Sequence, residues 1–226
     1  MKKVFGIKHS VFERVISVIA VFALAVGYYP PDPAVIDASA DLTQLTSGDF
    51  GYELNSDGTV NIVSYMGSDE DLTIPSVLDG KKVTSVDGNV ECLDVDWIAV
   101  FGGHDSQSGV RILRLPASIT KFYTANAIFE NVEQVIFDEN NTLYKSVNGI
   151  VYSEDGKTIV SYPSGRDGDT FDIPEGVETV GKYAFCKCKT LKEVTFPTSL
   201  YKLDDYSFVE SAIEKMTLPE GLSVIE

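Results

Sequence analysis

Three phrases of an apolar residue followed by proline, Ile173-Pro174, Phe196-Pro197 and Leu218-Pro219, recur at intervals of 23 and 22 residues. What lies between them recurs as well. After Pro174 come Val177, Val180-Gly181, Tyr183-Ala184-Phe185, Cys188, Leu191 and Val194. After Pro197 come Leu200, Leu203, Tyr206-Ser207-Phe208, Ser211, Ile213 and Met216, and after Pro219 a third copy begins with Gly221-Leu222 and Val224-Ile225. A period of 20–50 residues is the mark of stacked repeats. A unit this small cannot enclose its own apolar face, so each copy must bury it against the next, and the chain is expected to form a solenoid.

One unit can be read physically. In Leu191-Lys192-Glu193-Val194-Thr195-Phe196, Val194 and Phe196 alternate with Glu193 and Thr195, the period-two pattern of a half-buried strand. Pro197 stands after the strand, where its missing N–H costs no ladder bond. The polar–aromatic phrase around Phe185 should turn a large ring inward. Stacking is expected to align Val135/Phe137, Val194/Phe196 and Met216/Leu218 as columns of one continuous core.

Two earlier copies are degraded. Ile112-Leu113-Arg114-Leu115-Pro116 leads through Ile119, Phe122, Phe129 and Val132 to Val135 and Phe137. Leu72-Thr73-Ile74-Pro75 leads through Val83 and Val86 into an irregular stretch with Cys92, Trp97 and Phe101. Imperfect repeats are thus expected over 72–226, breaking off in mid-repeat, so that the chain is either a fragment or lacks a C-terminal cap. Asp57-Gly58 and Asp79-Gly80 between apolar alternations signal hairpins, and residues 48–86 read as an N-terminal β-hairpin cap behind a polar lead-in at 41–47. The 33 residues 138–170 form an insertion in which Asn148-Gly149 and Asp155-Gly156 predict a three-stranded β-meander.

The first forty residues read as an export signal. Lys2, Lys3, Lys8 and Arg14 precede the uncharged stretch Val15–Tyr29, and Ala38-Ser39-Ala40 places cleavage after Ala40, with Ala38 and Ala40 as the small residues. An uncharged run of fifteen residues falls short of the roughly 20 apolar residues needed to cross a bilayer, so no membrane span is expected in the mature chain. A formal net charge of −16 disfavours nucleic acid, which requires clustered Lys and Arg. Three cysteines, Cys92, Cys186 and Cys188, do not make a disulfide framework, and Cys188 reads as a small buried residue.

Catalytic material is sparse. His104-Asp105-Ser106 lies in a polar loop, where adjacent residues rarely converge into a triad. The carboxylate pairs Asp69-Glu70-Asp71, Asp138-Glu139 and Asp204-Asp205 read as a solvated surface. Asn55-Ser56-Asp57-Gly58 and Asp138-Glu139-Asn140-Asn141 do not match the spacing of a calcium loop. No catalytic residue, metal or cofactor is expected, and the chain reads as a non-enzyme. What remains is the outward side of the strands: Ile112, Arg114, Gln134, Ile136, Glu193, Thr195, Lys215 and Thr217, a mixed polar ribbon that is the candidate binding face.

Ile173-Pro174-Glu175-Gly176-Val177, then Val180-Gly181, Ala184-Phe185-Cys186-Lys187-Cys188, Leu191 and Val194 resemble the BspA-like leucine-rich repeat, most closely from residue 171 onward. The resemblance implies a mainly β leucine-rich-repeat solenoid with short turns or helical segments, an N-terminal hairpin cap and an inserted β-meander. It also implies a bacterial secreted or cell-surface module for adhesion or protein–protein interaction with extracellular or cell-surface proteins. The alternatives are a structural spacer carrying a further C-terminal domain and, with least support, a carbohydrate-active enzyme.

Overall fold

The computed structural model describes residues 45–86, 109–122 and 131–226. The segment read from sequence as an export signal, with Ala38 and Ala40, the stretch containing Cys92, Trp97, Phe101 and His104, and Phe129 lie outside the described residues. Among the described residues there are strands and turns but no helix. Of the short turns or helical segments expected between strands, those at the polar–aromatic phrases are turns, over 182–187 and 205–210.

Strands β1 (Leu45–Ser47), β2 (Phe50–Leu54) and β3 (Val60–Tyr65) form an antiparallel meander. Leu45–Ser47, read from sequence as lead-in, is therefore part of the sheet. Gly58, at φ 78°, closes the β2–β3 turn by donating its N–H to the Asn55 carbonyl at 2.8 Å. The chain then runs through β4 (Asp71–Thr73) and β5 (Val77–Leu78) to β6 (Lys81–Val86). Strand β6 pairs antiparallel with β5 and parallel with β3, placing Val83 beside Val60 one repeat length away. The first coil of the solenoid thus starts inside the segment anticipated as cap.

Coiling places β4, β7 (Ile112–Leu115) and β9 (Gln134–Phe137) side by side in a parallel sheet, with β8 (Lys121–Phe122) beside β6. Leu72, Leu113 and Val135 share one register and are 3%, 0% and 0% exposed. The insertion forms the antiparallel strands β10 (Tyr144–Val147), β11 (Ile150–Ser153) and β12 (Thr158–Ser161). Its last strand is also a rung: β12, β14 (Thr179–Val180), β16 (Lys202–Leu203) and β18 (Val224–Ile225) run parallel in one sheet. A further parallel sheet joins β13 (Thr170–Asp172), β15 (Glu193–Thr195) and β17 (Lys215–Thr217). Six outward rungs therefore stand in two sets of three.

The core is divided to match, which corrects the expectation of one continuous column. Val135 and Phe137 pack with Leu113, Leu115 and Phe122, whereas Val194 and Phe196 pack with Phe185 and Leu203 in a second cluster. Strand β11 stands between them: Val151 belongs to the first cluster, while its neighbours Ile150 and Tyr152 belong to the second. Alternation of side chains along a strand makes β11 a two-faced partition. Met216 and Leu218, expected in the core, are 39% and 48% exposed on the last described rung.

Turns rather than helix form at the polar–aromatic phrases because the backbone there bonds in two directions. Tyr183 and Lys187, and again Tyr206 and Glu210, take left-handed φ values between 52° and 58°. The N–H groups of Ala184 and Cys186 bond within the turn, to the carbonyls of Gly181 and Tyr183. Those of Phe185 and Lys187 cross to the next coil, to Ser207 and Val209. Every second donor is thus spent between coils, and no run of i to i−4 bonds can form. The same stacking lays Phe185 between Tyr162 and Phe208, with ring centroids 5.1 and 5.0 Å away.

Candidate interaction surface

The outward residues of the rungs fall on two ribbons rather than one. On the first, Asp71, Ile112 and Gln134 stand in register, as do Thr73, Arg114 and Ile136. On the second, Thr170, Glu193 and Lys215 align, as do Asp172, Thr195 and Thr217. Gln134, Thr195, Lys215 and Thr217 are exposed, whereas Ile112, Arg114, Ile136 and Glu193 are half-buried. Adjacent rungs of a sheet lie about 4.8 Å apart, so each ribbon holds its side chains on a rigid grid.

Several of these side chains are already engaged. Arg114 donates from Nε and an Nη to the two carboxylate oxygens of Asp71, at 2.8 and 2.9 Å. This hydrogen bonding holds the Asp71 carboxyl below its usual range. Lys215 pairs with Glu193. The pairing extends beyond the ribbons: Arg111 with Glu133, Lys157 with Glu178, Lys192 with Glu214 and Lys202 with Glu226, each about one coil apart. Sequence reasoning missed these pairs, although Lys192-Glu193 followed 22 residues later by Glu214-Lys215 announces them as an inverted charge doublet. Exposed pairs of this kind contribute only about 0–1 kcal/mol each. The doublet has a larger effect in disfavouring a slipped register, since a shift of one residue sets Lys192 opposite Lys215 or Glu193 opposite Glu214. The pairs also occupy much of the scarce positive charge, leaving an acidic exterior.

The polar loops weighed for calcium carry structural bonds. Asn141 is 4% exposed; its amide nitrogen donates to the carbonyls of Ile119 and Ala117, and its oxygen accepts from the N–H groups of Leu143 and Tyr144. The Asn55 amide donates to the hydroxyls of Thr59, Thr84 and Ser85, tying neighbouring coils together. Among the described residues no three or more His, Cys, Asp or Glu side chains gather as a metal site would require. Cys186 and Cys188 are both buried, and burial pushes the Cys188 thiol well above its usual range.

A family model described as BspA type Leucine rich repeat region (6 copies) matches residues 165–226. Residues 165–226 are BspA-type leucine-rich repeats. The matched segment contains the whole β13–β15–β17 ribbon with Glu193, Thr195, Lys215 and Thr217. A solved leucine-rich repeat protein from Eubacterium ventriosum superposes on 69% of this chain with a TM-score of 0.52 and 23% identity, and the chain covers 37% of that protein's length. The leucine-rich repeat fold therefore reaches beyond the matched segment. The pneumococcal vaccine antigen PcpA aligns over 50% of this chain and 28% of its own, with 26% identity and a TM-score of 0.45. No curated protein matches the chain.

Proposed function

We propose that the chain is a non-enzymatic extracellular module that holds a protein partner across its leucine-rich-repeat ribbons. The observation that carries this reading is the pair of three-rung parallel ribbons, whose outward residues recur in register. Such a surface offers many weak, spaced contacts and suits a macromolecule better than a small substrate. Export is supported by the basic start, the uncharged Val15–Tyr29 run and Ala38-Ser39-Ala40. The partner class is an extracellular or cell-surface protein, and adhesion is the role that fits a multi-rung surface.

Interferometry of the immobilised chain against extracellular-matrix and cell-surface proteins tests this. A binder is expected whose affinity falls at least about tenfold when Gln134, Thr195 and Thr217 are all replaced by arginine, a change that leaves both cores intact. If every binder is indifferent to that triple replacement, or none exceeds an unrelated acidic protein, the reading fails.

A further inference from the structure

Strand β4 is the outer rung of its ribbon, paired with β7 on one side. Glu70 accepts the N–H of Ile112 and Ile74 donates to the Arg114 carbonyl, so the even-numbered residues of β4 face β7. The backbone N–H and C=O groups of Asp71 and Thr73 consequently point the other way, and among the described residues no strand pairs with that side. A cleft of about 550 Å³ opens there, bordered by Asp71 and Thr73. Its apolar lining is Phe50, Tyr65, Leu72 and Leu78, with the Phe50 and Tyr65 rings 5.2 Å apart. Tyr65 is held in place: its hydroxyl donates to Asp69 at 2.6 Å, and its ring lies so close to Gly67 that a Cβ at that glycine would collide with it. The rim carries exposed Asp49 and Asp69, and no lysine or arginine lines the cleft.

We infer that this cleft receives an extended, lysine- or arginine-bearing peptide segment of a partner protein, added as a strand to the free edge of β4. A parallel or antiparallel guest would find four outward backbone groups to pair with, an apolar floor for one set of alternate side chains and carboxylates for cationic ones. An acidic, lysine-free border selects against anionic segments. The cleft adjoins the first ribbon at its β4 edge, but Gln134, Thr195 and Thr217 do not line it, so it can fail or succeed independently of the triple replacement that tests the interaction reading above. Short, charged edge strands also serve simply to prevent pairing, and the experiment separates the two roles.

The probe is a fluorescein-labelled peptide of four Lys-Val repeats, followed by anisotropy against the whole chain at low salt. Saturable binding is expected, with the Glu-Val counterpart silent. Methylating every second backbone nitrogen of the peptide, in each of the two registers, should weaken binding roughly ten- to thirtyfold in one register, the loss expected when two hydrogen bonds go. The paired replacement Asp49→Lys and Asp69→Lys should weaken it to a similar degree. Thr73→Pro, which removes an outward N–H and leaves the β7 ladder intact, should do the same with an unchanged melting curve. No binding up to about 1 mM, or binding untouched by methylation in both registers, overturns the inference. So does binding that survives the charge reversal.

Discussion

Phe185→Ala probes the second core at its centre. The side chain is 0% exposed and is stacked on both faces, by Tyr162 and by Phe208. A buried ring of roughly 150 Å² contributes about 4 kcal/mol at about 25 cal/mol per Å². Alanine also forfeits two ring pairs of about 0.5–1.5 kcal/mol each, while partial collapse of the coil returns some of the total. The expected loss is about 4–5 kcal/mol, at the upper end for aromatic-to-alanine changes. Phe208, half-buried and packed edge-on against Phe196, provides the internal standard and should cost about half as much. Equilibrium urea unfolding followed by far-ultraviolet circular dichroism measures both. A loss below about 1.5 kcal/mol for Phe185, or a larger loss at Phe208 than at Phe185, would refute the stacked-ring account.

Asn141→Ala should destabilise by about 2–4 kcal/mol in the same assay, because it strands two N–H groups and two carbonyls at a buried corner; a neutral change would show that the corner is held otherwise. In a double-mutant cycle at Glu193 and Lys215, charge reversal of either residue alone should destabilise and reversal of both should restore stability. The coupling should be under about 1 kcal/mol and vanish at high salt; coupling that persists in salt would contradict the exposed placement. Asp79 accepts hydrogen bonds from the Ser47 and Tyr52 hydroxyls, which hold its carboxyl below the usual range. A depressed folded-state pKa means stability that is fully present above the unfolded value of about 3.9 and lost as pH falls through the folded one. Asp79→Asn should therefore make unfolding less steeply dependent on pH below about pH 4 and change nothing in that dependence above about pH 5. An acid limb as steep as that of the parent would dismiss this carboxylate as a contributor.

The sequence exposes the parts of the fold that depend on one coil at a time. Val194 and Phe196 alternate with polar neighbours, and both are buried, at 1% and 8% exposure. The turns at Asp57-Gly58 and Asn148-Gly149 carry their own backbone requirement, with Gly58 and Gly149 at φ 78° and 79°. What depends on the neighbouring coil was hidden. Nothing local in Ile150-Val151-Tyr152 reveals that successive residues face different cores. The left-handed conformations at Tyr183 and Lys187 arise because alternate N–H groups are drawn to the adjacent coil, and no glycine marks the spot. The eight ribbon residues were legible as outward-facing, since a strand's period is two. Their separation into two ribbons follows from where the β10–β12 meander enters the stack, a matter of topology rather than pattern. The ion pairs other than Asp71–Arg114 fall between these cases: visible as charges 21–24 residues apart, but only once the coil length is used as the ruler.

The stacking itself can be observed directly. Nuclear Overhauser contacts in an isotope-labelled sample should link the backbones of Thr170, Glu193 and Lys215, and of Phe171, Val194 and Met216, as parallel in-register neighbours 22–23 residues apart. Finding that set would establish the leucine-rich-repeat solenoid residue by residue. Contacts that instead pair Glu193–Thr195 antiparallel with a sequence-adjacent segment would contradict it.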